Sequence, residues 1–388
     1  MRVLHISPSP PEYLGGLAHF TKFLAMYLGE NNIHVDLLCS TLSKEGSTYE
    51  QYSKNFKVIK KKCYYLADND NLLKMKNPIF NALTYLLRYG KNYDIIHVHS
   101  YIYFSTIQTF FYKLIFGRKI PTIMHLHGIL EDHESQTTNK IEKILFFFKK
   151  FFFDYTIGRI MLNKADSIIS VNSNDISILN EVFHVNFVNK HKTFFIPNAI
   201  DPDKFKRIDN IKREYIGYVQ RLSIYSGIDL FLDLVKEYNK IDKSQKFLIV
   251  GKGPYLPEVK KAMEKYPITY YEEVPHEDMP KIYNSCSIFV LISRSEGLST
   301  VLLEALACEV PCIASKVGGN PELVKDGITG YLFESANIEQ AIEKIQKINN
   351  NKEHRELGIN GRKLVENHFT WEKNVKKIIS IYKKLIKK

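Results

Sequence analysis

The sequence predicts an α/β protein made of two halves, each with its own parallel sheet. Short, continuously apolar runs alternate with longer helical patterns, as in sheets buried on both faces. That alternation restarts after about residue 210. Glycines or polar residues follow several of the apolar runs, where ligands of open α/β sheets sit.

In the first half, strands are expected at Val3–Ser7, His34–Cys39, Asp94–Val98, Pro121–Leu126 and Ser167–Val171, with a helix over Leu17–Gly29. In the second half, strands are expected at Glu214–Val219, Lys246–Val250, Ile268–Tyr271, Ile288–Ile292 and Pro311–Ala314. Helices fall at Ile228–Tyr238 and Thr300–Ala307, and the polar stretch Asn198–Lys212 reads as the linker. Two such halves make a cleft between them the expected active site.

Composition narrows the class. The chain has 388 residues, 45% hydrophobic and 25% charged, an ordinary globular mix that excludes wholesale disorder. Its five cysteines form no zinc or disulfide spacing, which favours a reducing compartment. No apolar run reaches the roughly 20 residues of a spanning helix, and Met1–Gly16 lacks the order of a signal peptide. The net charge of +12 suits an anionic partner: a nucleic acid, a membrane face or a phosphorylated small molecule. No basic-aromatic nucleic-acid module is present. From Trp371 onward, Val375, Ile378, Ile379, Tyr382, Leu385 and Ile386 recur at helical spacing with lysines opposite, which predicts a docked amphipathic helix.

Several residues could carry chemistry. Gly15-Gly16 follows the first strand and opens a helix, so backbone and free N–H groups could approach an anion; the plainer reading is a turn. Gly251-Lys252-Gly253-Pro254 repeats that situation, but Leu256 replaces the third glycine of a dinucleotide fingerprint. His125 and His127 close one strand and His97 and His99 another, each able to bond a sugar hydroxyl or move a proton. Their pairs fall on separate strands without cysteine, which weighs against zinc. Arg221 after a strand could neutralise a diphosphate, though an arginine there is more often plain surface. Asp201-Pro202-Asp203 reads as turn chemistry rather than a metal site.

The most specific segment is Ser293–Ala307, with Glu296 in a turn and Glu304 inside a helix. Eight helical positions span roughly 12 Å, beyond the ~5–5.5 Å of a retaining glycosidase pair. The spacing suits two grips on one elongated ligand, a ribose diol and a sugar. Aromatic and basic runs, Ile144–Phe153 and Phe110–Lys119, read either as buried helices or as interfacial membrane contacts.

Taken together these elements resemble the family 4 retaining glycosyltransferases (glycosyl transferases group 1) of GT-B fold, over nearly the whole chain. The strongest block is Ser293–Phe333, with its E-x7-E segment and the Gly-Gly turn before Pro321-Glu322; Pro197–Asp201 resembles the family's PNGVD, with Ala199 for glycine. The resemblance implies two Rossmann-like domains with parallel sheets facing a central cleft. Residues 1–203 would bind the acceptor and 204–371 a nucleotide-sugar, with the helix 372–388 packing back on the first domain. It implies a hexosyltransferase-type enzyme (EC 2.4) using a UDP- or GDP-sugar, a glycan or lipid-linked acceptor and no metal or other cofactor. It would act in glycan biosynthesis, in the cytoplasm or peripherally on an anionic cytoplasmic membrane face.

By the same carry-over, Glu304 would hold the donor ribose. Glu296 would contact the donor sugar or phosphate, beside backbone N–H groups of Gly297, Leu298 and Ser299. Arg221 would neutralise the diphosphate, Gly15 and Gly16 would lie beside it, and His127 or His125 would contact the transferred sugar. One departure stands out: the family's GRLSPEKG-like segment reads QRLSIYSG here, so Ser226 occupies the lysine position and Lys252 or Arg294 would have to compensate. A nucleotide-sugar epimerase or phosphorylase, or a degenerate binding protein, are the alternative readings.

Overall fold

In the computed structural model, the described residues are 1–13, 15–42, 48–64, 78–116, 119–128, 149–181, 192–350 and 354–387. The chain divides into two compact units: Met1–Pro197 with Trp371–Lys388, and Asn198–Thr370. The stretch expected as a linker therefore lies wholly inside the second unit. Arg362 holds it there, donating to the carbonyls of Pro202 and Phe205 at 2.7 and 2.5 Å. Asp203 N–H donates to Asp201 Oδ1 at 3.0 Å, an Asx turn rather than an ion site.

The first unit is built on β1 (Arg2–Ile6), β2 (His34–Ser40), β3 (Thr48–Ser53), β4 (Phe56–Lys61), β7 (Ile95–His99), β8 (Thr122–Leu126), β9 (Ser167–Ser170) and β10 (Thr193–Phe195). A separate two-stranded ribbon pairs β5 (Cys63–Tyr64) with β6 (Ile79–Phe80). The main sheet runs β10-β9-β8-β7-β1-β2-β4-β3, parallel except for β3, which is antiparallel to β4. The second unit has β11 (Tyr215–Val219), β12 (Lys246–Val250), β13 (Ile268–Tyr271), β14 (Cys286–Leu291), β15 (Cys312–Ser315) and β16 (Gly330–Phe333), ordered β13-β12-β11-β14-β15-β16 and all parallel. The strand order reverses beside β1 and β7 in the first unit and beside β11 and β14 in the second. Those are the switch points at whose carboxyl ends ligands bind.

The expected strands are all present within a residue or two at each end. The unexpected ones are β3, β4, β10, β16 and the ribbon. β4 is FKVIKK, whose lysines interrupt the apolar run, yet Phe56, Val58 and Ile59 are buried.

The helix Trp371–Ile386 belongs to the first unit. It buries Trp371, Val375, Ile378, Ile381 and Tyr382. Ile386 is exposed and Ile381 takes its place in the stripe. Trp371 stacks on Tyr27 of the helix Gly16–Glu30 at 5.8 Å, and Asn374 donates to the Pro197 carbonyl at 2.6 Å. Ile378 is fully buried. Ile378→Ala should cost about 2–5 kcal/mol, read as a shift in the urea midpoint at unchanged m-value.

Candidate active site

The second unit gathers most of the expected donor residues at the carboxyl ends of β11 and β14. Gln220 follows β11 and Ser293 and Glu296 follow β14. Glu296 Oε1 accepts from Gln220 Nε2 at 2.6 Å and from Ser293 Oγ at 2.8 Å. Ser293 Oγ also lies 3.0 Å from Gln220 Oε1. Burial pushes the Glu296 carboxyl above its usual range, and these two hydrogen bonds only partly oppose it. Gln220 went unrecognised in the sequence because it precedes the more conspicuous Arg221.

After Glu296 the chain turns through Gly297, Leu298 and Ser299 into the helix Thr300–Ala307. Ser299 caps that helix, its Oγ accepting from Leu302 N–H at 3.4 Å. The Gly297 carbonyl accepts from Gly319 N–H at 2.8 Å and the Leu298 carbonyl from Asn198 Nδ2 at 2.6 Å. The N–H groups of Gly297, Leu298 and Ser299 have no protein acceptor among the described residues. They form a short run of free donors at a helix start, the arrangement that receives anions.

Glu304 is buried on the second turn of the helix. Its Oε2 accepts from Tyr283 O–H at 2.6 Å, and its Oε1 lies 3.4 Å from His276 Nε2. A carboxylate has about four acceptor positions, so this holding leaves capacity for further donors. Burial, then the Glu304 charge, drives the Tyr283 phenol well above its usual range, so Tyr283 remains a donor. Neither Tyr283 nor His276 carried a sequence signal, since both lie on other elements than Glu304.

The cations divide differently from expectation. Arg221 is exposed and makes no side-chain hydrogen bond or ion pair among the described residues. Lys252 is paired with Glu273 at 3.0 Å, both side chains about half exposed, a pair worth little and easily exchanged. Arg294 is committed to Asp229 by two bonds of 2.7 and 2.6 Å and to the Ile224 carbonyl, so it does not compensate for the missing lysine. Ser226 sits 3.1 Å from Ser223 Oγ, and its carbonyl accepts from Tyr218 O–H at 3.0 Å. Gly251 and Gly253 serve packing: a Cβ on either would lie 1.9 Å from the Gln220 carbonyl or 2.4 Å from that of Leu222.

In the first unit, Gly15 precedes the helix Gly16–Glu30, and a Cβ at Gly15 would meet only the Tyr13 ring at 3.5 Å. Ser7 and Ser100, just past β1 and β7, each bury a hydroxyl with no hydrogen-bond partner among the described residues, and Ser100 holds a φ of 67°. The histidines were expected as two separate pairs. They are one cluster, because β7 and β8 are neighbours with His99 opposite His125, and β1 adds His5 opposite His97. Ligand atoms of His5, His97 and His99, and of His99, His125 and His127, lie within 4.8 Å of one another, so strand separation is no argument against a metal there. Desolvation, with neighbouring imidazoles adding in three cases, pulls His97, His99 and His125 well below the usual range and His5 and His127 down to about 3. Burial therefore favours the neutral form of all five. The segment Gly128–Asn139, where acceptor choice was expected, lies almost entirely outside the described residues, as do residues 144–148 of Ile144–Phe153.

Two parallel Rossmann-like units with polar groups gathered at their switch points define the GT-B class of glycosyltransferase. Sucrose-phosphate synthase from Thermosynechococcus elongatus shares this fold, with a TM-score of 0.80 over 99% of this chain and 98% of that one at 19% identity. Residues 14–204 match the family described as Glycosyltransferase Family 4, and residues 200–364 match Glycosyl transferases group 1. The chain belongs to the family 4, group 1 glycosyltransferases. An uncharacterized glycosyltransferase of Methanocaldococcus jannaschii, MJ1069, is 26% identical over 96% of each chain. The Escherichia coli UDP-Gal:alpha-D-GlcNAc-diphosphoundecaprenol alpha-1,3-galactosyltransferase is 24% identical over 82% of this chain and 81% of its own.

Because the Glu296 pKa is raised in the folded protein, its contribution favours folding at low pH and is lost as pH rises through that raised value. Glu296→Gln should therefore raise Tm at pH 7, and the gain should shrink toward zero as pH falls through the raised value, while transfer activity drops.

Proposed function

We propose that this enzyme moves a hexosyl group from a UDP- or GDP-sugar to a glycan or lipid-linked acceptor, with retention at the anomeric carbon and without a metal. The observation that carries the reading is the buried Glu304, oriented by Tyr283 and His276 one turn inside the helix that follows the free N–H groups of Gly297–Ser299. A carboxylate so held suits a ribose diol, and N–H groups at a helix start suit the diphosphate.

In this reading Glu296, braced by Gln220 and Ser293, contacts the donor sugar or phosphate. As the bond from the anomeric carbon to the phosphate oxygen breaks, charge gathers on the leaving diphosphate. Arg221, with Lys252 released from Glu273, and the backbone donors stabilise it. Gly15 and Gly16 lie against the phosphate, and His127, with His125 behind it, meets a hydroxyl of the transferred sugar. The first unit takes the acceptor and the second the nucleotide. Retention is carried over from the family rather than argued from these distances.

Thermal stability against UDP, GDP, ADP and their sugars tests the donor class. A nucleotide at 100 times its Kd should stabilise by about 2.7 kcal/mol, with or without magnesium. Glu304→Gln should abolish most of that shift. No shift with any nucleotide would favour a binding protein disabled at Ser226. Arg221→Ala should lower kcat more than it raises donor KM, since it acts on charge that develops during the reaction.

We further propose that the enzyme works against an anionic membrane. Among the described residues no helix is long and apolar enough to cross one. The helix Phe104–Ile115, however, buries Ser105, Thr106, Gln108 and Thr109 along with Phe110 and Tyr112, and leaves Phe104, Phe111, Leu114, Ile115 and the following Phe116 exposed. Ile157 and Ile160 add exposed apolar area from the segment just ahead of β9, and the chain carries a net charge of +12. Insertion of such a face with basic neighbours at the headgroups is how interfacial helices bind, and the acceptor named for the E. coli relative is itself lipid-linked. Phe111→Ser with Ile115→Ser should release the protein from anionic vesicles without changing its thermal midpoint. Retained binding would remove this face from the reading.

A further inference from the structure

The five clustered histidines and one tyrosine form an unbroken hydrogen-bond chain. His127 Nε2 lies 3.2 Å from His99 Nδ1, and His99 Nε2 lies 3.0 Å from His5 Nδ1. His5 Nε2 lies 3.2 Å from Tyr382 Oη, which lies 2.6 Å from His97 Nδ1. His97 Nε2 lies 3.1 Å from His125 Nδ1, and there the chain ends, because the buried His125 Nε2 has no partner among the described residues. Six groups share five links.

Proton counting then leaves two arrangements. A neutral imidazole has one N–H and one bare nitrogen, and a phenol donates once. Each link takes one proton, so every group must point the same way along the chain. In one arrangement all five histidines are protonated on Nε2, and His125 is left with a buried N–H that no acceptor meets. In the other all five are protonated on Nδ1, and His125 Nε2 is a bare nitrogen. Buried N–H groups without acceptors are the rarer and more costly defect. His127 is partly exposed and meets water equally well in either form, so the buried end decides.

We propose that this chain holds His127 as an Nδ1–H hydrogen-bond donor, with His99 and His5 as the positioning residues that transmit the choice. His127 then offers a donor to a sugar oxygen and has no bare nitrogen with which to take a proton, since its Nε2 is filled by His99 N–H. This rests on the reading of His127 as the residue that meets the transferred sugar, but the proton position is measurable without any substrate.

The test is long-range proton–nitrogen correlation on the intact protein labelled with nitrogen-15 histidine, with His127 assigned from its loss in His127→Gln. The wild type should show His5, His97, His99, His125 and His127 all protonated on Nδ1 and bare on Nε2. His127 protonated on Nε2, a mixture of forms among the five, or one equivalent of zinc ligated by these nitrogens would each overturn the proposal.

Two substitutions extend it. His99→Asp presents only acceptors, so His127 should move its proton to Nε2, and kcat should fall about tenfold, the scale of one hydrogen bond, with donor KM changing less. His99→Gln can donate its amide N–H to His127 and accept from His5, so it should restore both the Nδ1–H form and most of the rate lost in His99→Asp. A moved proton in His99→Asp with kcat unchanged would overturn the role of His127 as a donor. Absence of any transferase activity in a wild type with the five Nδ1–H forms would leave the chain of protons intact and fail the functional reading alone.

Discussion

A sheet buried on both faces has nowhere to put an unpartnered polar group, and that constraint arranges everything chemical in this protein. In the second unit the constraint is met simply. The strand centres are apolar, and Gln220, Arg221, Ser293 and Glu296 begin only where β11 and β14 end. In the first unit it is met the costly way. His5, His97 and His125 lie inside strands and are fully buried, so each must find its partners among the others. The cluster is the consequence: rings stack at 4.7 Å between His97 and His99 and 4.6 Å between His125 and His127, and Phe20 packs edge-on against the last two. Tyr382 closes it from the carboxy-terminal helix, which ties the end of the chain to its first strand.

The turns around Glu296 owe their shape to backbone touching backbone. Gly227 has a φ of 73°, and a Cβ there would lie 2.0 Å from the Ile292 carbonyl. Gly319 approaches the Gly297 carbonyl in the same way, at 2.5 Å for a built Cβ. These contacts fix how the turns after β11, β14 and β15 sit together. Carbonyls are consumed by the bracing and N–H groups are left over, so a donor-rich surface results from packing alone, before any ligand is considered.

The architecture was legible in the sequence because buried parallel strands are written as continuous apolar runs, and ten of the sixteen strands among the described residues announce themselves that way. The edges were not: β3 and β4 carry lysines and tyrosines that read as loop, and the three-residue β10 is too short for any period to show. Glu296 and Glu304 were legible through spacing within one short segment. Their supports were not, because Gln220, His276 and Tyr283 come from separate segments and meet only in the fold. The histidines failed in an instructive way. Their spacing along each strand was plain, but whether HVH and HLH were neighbours depended on sheet order, which no local pattern encodes. His5, a lone histidine in an apolar strand, carried no signal until β1 was placed between β7 and β2.

The state of Glu296 follows from the groups that surround it. The groups acting on Glu296 are burial, Ser293 and Gln220, and no cation is among them. A lysine in that neighbourhood would stabilise the carboxylate and draw its pKa down. With no cation acting on it, and Arg294 neutralised by Asp229, the buried carboxyl stays above its usual range and binds a proton more readily. A diphosphate arriving beside it is repelled less by a carboxyl that is easily protonated than by a firmly ionised one. In the proposed donor site this would offset part of the phosphate grip that the absent lysine would have supplied.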